Sequence, residues 1–289
     1  MSLEPEAVRR IAAIRHPGPR LMPRREAYPV QVRWLTLDLR VGQGLLPALA
    51  ALADAEDLDG AVAVLDGLSL GPFDFVLPSR PAKGQVQAAW YSATHAERWG
   101  DVDHGTAILG RRDGDWFLHC HAAWLGSDGK RHLGHLLPGT IAAAGPGRVE
   151  VLGFTGARFD AVPCAETGFT LFAARATRAP VEPNGTLLRL HPFEDLVTAL
   201  ADAAAMLPGA RAWGIGSLVG TTFHDGRAME DPISEVALLP GCDPAAPRIE
   251  AVDTAGGLFR GQPVQGATPV LITAEVLVTG QGFAAPIGG

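Results

Sequence analysis

A chain of 289 residues that is 47% hydrophobic and 19% charged is long and apolar enough for two packed domains of about 130 to 150 residues each. Its 24 Lys and Arg against 31 Asp and Glu leave a net charge of −7, which opposes bulk electrostatic capture of a phosphate backbone and direct DNA binding with it. No window reaches the ~18 uninterrupted apolar residues of a membrane helix, and MSLEPEAVRR carries acids where a secretory leader has a basic region, so a cytoplasmic protein without membrane partners is expected. Cys120, Cys164 and Cys242 are odd in number and far apart, which offers neither a disulfide framework nor a Cys-x-x-Cys knuckle.

Residues 1–29 read as an N-terminal arm. Its arginines, Arg9, Arg10, Arg15, Arg20, Arg24 and Arg25, are interrupted by Pro17, Pro19 and Pro23, which suits a solvated, proline-stiffened segment. His16 belongs to the packing of that arm. Val30 to Leu39 alternates as a half-buried strand does, and Leu45 to Leu58 spaces its apolar residues at helical intervals, with Pro47 in the first turn. Short apolar runs follow at 61–65, 73–77, 88–91, 106–109, 116–124 and 149–154, divided by Gly, Pro and Asp, as in a sheet of short strands.

The same order recurs downstream: a strand at Thr186 to Leu190, a helix at Phe193 to Leu207 with Glu194 and Asp195 in its first turn, then runs at 212–219, 234–239, 249–252 and 270–278. Leu45 to Gly71 aligns with Phe193 to Gly220, and both segments hold a Leu-Ala-Asp-Ala helix tetrapeptide. Two related α+β domains are predicted, each a mixed, largely antiparallel sheet on one main helix, at 30–175 and 184–289, with a linker near Ala174 to Pro183.

Chemistry concentrates in FLHCHAAWLGSDGKRHLGHL. On a strand from Trp116 to Trp124, His119 and His121 share a face, about 7 Å apart along the chain. The turn Ser127 to Lys130 folds His135 back toward them, and three neutral imidazoles can hold a divalent metal, zinc among the candidates, with an open position for water or substrate. Glu97 and Asp103 are candidates to orient such a ligand. A histidine pair on a strand can equally meet solvent or ordinary hydrogen bonds. His132 reads as an exposed turn residue. Cys120 points to the opposite face, which argues against a Cys-His nucleophile. Gly214 to Gly220 (GIGSLVG) lacks the Gly-Lys-Ser/Thr ending of a phosphate loop and reads as a tight sheet turn. His224, Asp225 and Glu230 read as an exposed turn with solvated acids.

The run His119 to Ile141 resembles the core motif of the plants-and-prokaryotes conserved (PPC) domain, a His-x-His strand, an Asp-Gly turn and Gly-His-Leu. Arg158 to Asp160 and Ala165 to Phe172 are similar to that family's closing region. The resemblance covers residues 30 to 175 well and 185 to 282 weakly. It implies a trimer-forming α+β module, here in tandem, and a histidine-lined pocket at His119, His121 and His135 that holds a divalent metal in relatives. Arg248 to Gly266 has no His-x-His and offers Gln262 near the position of His135, so the second copy is expected to have lost the site. The Arg-Gly-Arg-Pro hook of plant members is absent, so their DNA-binding label is poorly supported here. The expected function is a homo-oligomeric binding or regulatory protein holding a metal or small ligand. The alternatives are a metal-dependent enzyme acting on a small molecule and an oligomerisation scaffold whose histidines hold no metal.

Overall fold

The computed structural model describes residues 11–280; Arg9, Arg10 and the last nine residues of the expected second domain lie outside it. The first half contains β1 (Arg25–Leu39), α1 (Leu45–Ala55), β2 (Gly60–Val64), β3 (Ser69–Leu70), β4 (Phe73–Val76), β5 (Pro78–Ser79), β6 (Trp90–Tyr91), β7 (His95–Glu97), β8 (Gly100–Arg112), β9 (Asp115–Gly126), β10 (Arg131–Leu136), β11 (Gly147–Thr155), β12 (Ala157–Pro163) and β13 (Thr170–Ala176). The second contains β14 (Gly185–Leu190), α2 (Leu196–Ala204), β15 (Arg211–Leu218), β16 (Ser234–Leu238), β17 (Ile249–Asp253), β18 (Leu258–Gly261) and β19 (Val270–Thr279). This is the predicted α+β class, largely antiparallel, with one parallel pairing between β8 and β12.

Strand pairing shows the duplication directly. In the first half β1 pairs with β11, β11 with β2, β2 with β8, β8 with β9 and β9 with β10. In the second, β14 pairs with β19, β19 with β15, β15 with β16, β16 with β17 and β17 with β18. One path is the other with the strand names changed. Each main helix lies between its first two strands, and Leu45, Leu49 and Ala53 of α1 and Leu196 and Leu200 of α2 each pack on the outer face of their own sheet. The inner faces meet: Val62, Ile108, Leu152 and Phe154 pack with Leu187, Trp213, Ile215 and Leu277, a core to which neither helix contributes. The layers run helix, sheet, sheet, helix.

Several boundaries differ from the sequence expectation. β1 begins at Arg25 because its first six residues, Arg25 to Val30, pair with β14, while Gln31 to Leu39 pair with β11, so one strand serves both sheets. The arm before it is seated rather than solvated. Arg24 donates to Glu166 Oε2 at 2.6 Å and to the Pro192 carbonyl, Arg25 meets Glu194 at 2.7 Å, and the His16 ring stands edge-on to Phe193. Helix α2 starts at Leu196 because Asp195 is its N-cap, accepting from Thr198 N at 2.9 Å, and Phe193 has φ of +68°. Helix α1 stops at Ala55, ahead of Asp57 at φ +50°. Ala174 to Ala176 belong to β13, so the connection between halves is 177–184. Gly214 to Leu218 of GIGSLVG lie within β15 and form no turn.

Candidate metal centre

Alternation along β9 places His119 and His121 on the inner face, and Cys120 between them is buried in the helix-side core. The turn after Gly126 closes through Gly126 N to Lys130 O, with Gly129 at φ +74°, and sets β10 against β9 so that His135 lies directly opposite His121. One ligand atom from each of the three rings falls within 4.8 Å of the others. The predicted trio is brought together.

The partners come from the second half. His121 Nδ1 lies 3.0 Å from the Val236 carbonyl, which only accepts, so Nδ1 carries the proton and Nε2 presents a lone pair. His119 Nδ1 lies 3.0 Å from Glu275 Oε2, a buried carboxylate also held by the Thr273 hydroxyl at 2.9 Å. That contact turns the second nitrogen of His119 toward His121, with the two Nε2 atoms 3.2 Å apart. Two lone pairs at that distance repel unless a cation lies between them, either a proton on His119 or a metal ion. A tetrahedral ion with metal–nitrogen bonds of about 2.0 to 2.1 Å spaces its ligand atoms about 3.3 to 3.4 Å apart, so the donors and their spacing fit a metal. A histidine held through its other nitrogen by a carboxylate or carbonyl is the usual support of a metal ligand.

Burial, followed by the charge of His119, pushes His121 down to about 3, with the Val236 hydrogen bond opposing. Burial, then His119 and His121, hold His135 well below the ordinary histidine value. Both are therefore neutral, as metal ligands must be. His135 Nδ1 makes no hydrogen bond and stands 4.0 Å from Glu235 Oε1. Burial raises Glu235 to about 8, and its Oε2 has no partner, so this pair is neutral on both sides. Two hollows that share Tyr91 and His119 reach the site. The inner one is lined by Trp90, Tyr91, Phe169, His121, Ser217 and Glu235. The other brings Arg112, Phe117, Phe172 and His135 together with His119.

Glu97 and Asp103 do not orient the histidines. Glu97 accepts from the Trp124 indole, the Ser127 hydroxyl and the Arg98 N–H, and Asp103 pairs with Arg131 at 2.6 Å and Arg260 at 3.3 Å. The supporting acids, Glu275 and Glu235, lie on strands about 150 and 110 residues further on, and no local spacing announces them. Their signal is the chemistry of inward-facing glutamates in otherwise apolar strands, SEVAL and VLITAEVLVT. His132 is not a free turn residue: it stacks on Trp124 and lies 3.0 Å from Asp128. Asp225 is tied to Arg227 across an exposed turn, as expected.

Register also corrects the second copy. Glu250 and Val252 of β17 occupy the places of His119 and His121, and Leu258, opposite Val252, takes that of His135; Gln262 lies beyond β18. Glu250 instead meets His104 at 2.8 Å and Arg131 at 2.6 Å. Asp103, His104 and Glu250 are close enough together for a metal, but Arg131 and Arg260 already neutralise them.

No family model and no curated protein matches this chain. About half of it is similar to solved structures. A metal-containing protein from Archaeoglobus fulgidus is 18% identical, with 50% of this chain and 97% of that one covered at a TM-score of 0.39. A plant- and prokaryote-conserved (PPC) protein from Pyrococcus horikoshii is 14% identical over 52% of this chain and 96% of its own, TM-score 0.36. A hypothetical protein from Salmonella is 23% identical, with 51% and 96% covered and a TM-score of 0.35. Each covers half of this chain, and the tandem arrangement rests on the repeated strand pairing. No helix among the described residues is long and apolar enough to cross a membrane.

Proposed function

We propose that the chain is a binding protein for one divalent metal ion, held by His119, His121 and His135, with the hollows beside it admitting a small ligand to that ion. The observation that carries this reading is the pair of Nε2 atoms 3.2 Å apart, each turned inward by an acceptor on its other nitrogen. A metal bound there supplies a Lewis acid and, with an open coordination position, a bound water of lowered pKa. The residues around it orient the rings through Glu275 and Val236, and Trp90, Tyr91 and Phe169 line the approach to it.

Metal-dependent catalysis is the second reading, and Glu235 favours it. Its unpartnered carboxyl oxygen lines the inner hollow beside His121, where a proton donor or acceptor for a metal-bound group belongs. Elemental analysis of untagged protein purified without added metal tests the binding reading, with His121→Ala and Glu275→Gln in parallel. About one transition-metal ion per chain, absent from His121→Ala and more weakly held in Glu275→Gln, supports it. No metal in the folded wild type, together with a protonated His119 seen by NMR, assigns the cation to a proton and the cluster to inter-sheet packing.

A further inference from the structure

The two hollows beside the histidines differ in capacity. The inner one has a cavity volume of about 60 Å³, room for a couple of waters at ~30 Å³ each. The cleft that holds His135 and Arg112 has about 540 Å³, within the range of small-molecule sites. A ligand of more than a few atoms reaches the histidines through that cleft, and its lining sets the ligand's shape. Side chains there contact one another in a row: the His119 ring centre is 4.8 Å from that of His135 and 6.3 Å from Phe172, Phe172 is 6.0 Å from Phe117, and the Arg112 guanidinium carbon is 5.3 Å from the Phe117 ring.

Register explains the row. Along the β8–β9 ladder Ile108 is opposite His119, Gly110 opposite Phe117 and Arg112 opposite Asp115, so Arg112 lies beyond Phe117 as seen from the histidines. A Cβ at Gly110 would come within 2.9 Å of Phe172, and glycine there lets that ring lie against the ladder. Two residues of strand span about 7 Å, which sets the guanidinium on the order of 10 Å from the histidine rings. Charge is placed as unevenly. Histidines aside, Arg112 is the one cation and Glu275 the one acid among the described residues lining the cleft, and Glu275 is held by His119 and Thr273. Nothing comparable holds Arg112: Asp113 Oδ2 is 3.9 Å from its Nε and 92% exposed, Asp115 is exposed, and neither lines the cleft. An exposed pair that long is worth little, so the N–H fork of Arg112 is open to an anion.

We propose, resting on the metal reading above, that the ligand is an elongated organic acid, with a donor group at the histidine-held ion, an apolar or aromatic body along Phe172 and Phe117, and a carboxylate paired with Arg112. One arginine matches the single charge of a carboxylate and its two oxygens. The two aromatic rings supply the apolar surface between the charged ends. The small inner hollow is left to water or to a group of a few atoms beside Glu235.

The test loads full-length protein with zinc and titrates it calorimetrically with the monohydroxamate of suberic acid, whose hydroxamate takes the ion and whose carboxylate reaches Arg112, and with the methyl ester of that compound. The readout is the ratio of the two affinities within each protein, so a change at the zinc site itself cancels. The acid is expected to bind the wild type at least fivefold more tightly than the ester. Arg112→Gln is expected to abolish that preference, and Arg33→Gln, which removes an exposed charge paired with Glu56, to keep it. The monohydroxamate of succinic acid, too short to reach, is expected to show no preference over its ester. A wild-type preference below fivefold, one that survives Arg112→Gln, falls equally with Arg33→Gln or is matched by the short compound, or no hydroxamate binding to zinc-loaded protein, overturns the proposal and leaves the metal site standing. Failure of the folded wild type to take up zinc overturns both.

Discussion

The carbonyl of Val236 decides the tautomer of His121, and the carboxylate of Glu275 orients His119; neither atom belongs to the half that carries the histidines. Glu275→Gln keeps the shape and removes the charge, so metal affinity is expected to fall about 10- to 100-fold, read by competition with a chromogenic chelator. The buried titratable groups also set a pH dependence for the metal-free protein. His121 and His135 are neutral when folded and take up protons when unfolded below about pH 6.5, so they contribute stability that is lost as pH falls from there toward their folded values. Glu235 works the other way: it is protonated when folded up to about 8 and ionised when unfolded above about 4.5, so its contribution falls as pH rises between the two. From about pH 7 to 8 the unfolded histidines are mostly deprotonated and the Glu235 effect outweighs theirs, one proton being worth up to about 1.4 kcal/mol per pH unit. Thermal melts in chelator are expected to show the wild type losing stability over that range and Glu235→Gln losing less.

At the scale of elements, β9 and the turn after it were legible in sequence because alternation and an Asp-Gly turn are local signals, and they put His119 and His121 on one face with His135 folded back toward them; β10 itself was not read as a strand. Strands β12, β13 and β18 were harder to see: β12 (ARFDAVP) mixes Arg and Asp with its apolar residues and has exposed positions, and β18 (LFRG) is only four residues long. The early start of β1 was hidden for a related reason. Arg25 and Glu26 look like arm residues, and they enter a strand only because β14 offers an edge and Glu194 and Arg189 offer countercharges. The arm before it is clamped by Arg24 on Glu166, whose side chains are 10% and 1% exposed. Removing one partner of a buried pair leaves the other uncompensated, so Glu166→Ala is expected to cost about 3 to 5 kcal/mol in urea unfolding. Arg33→Ala, which breaks an exposed pair with Glu56, is expected to cost less than about 1 kcal/mol.

On the scale of the whole molecule, duplication and site are connected. The second copy has exchanged the three histidines for Glu250, Val252 and Leu258, and its inner face has become the wall against which the first copy's histidines are set. Trp213 sits in the inter-sheet core edge-on to Trp34. Trp213→Ala is expected to cost about 3 to 5 kcal/mol. It is also expected to weaken metal binding, although it touches none of the three histidines by hydrogen bond, because Glu275 and Val236 are carried on the same sheet. Isothermal titration with zinc beside a denaturant melt separates the two effects.

What the sequence by itself determined is what depends on neighbours along the chain: apolar alternation, helix period, turn chemistry, the repeated order of elements and the common face of His119 and His121. Only the tertiary structure decided which acids serve those histidines, how the arm is seated and where the inner faces meet. The polar contacts among them join residues 100 or more positions apart, and their partners are selected by burial and countercharge across the two sheets rather than by spacing.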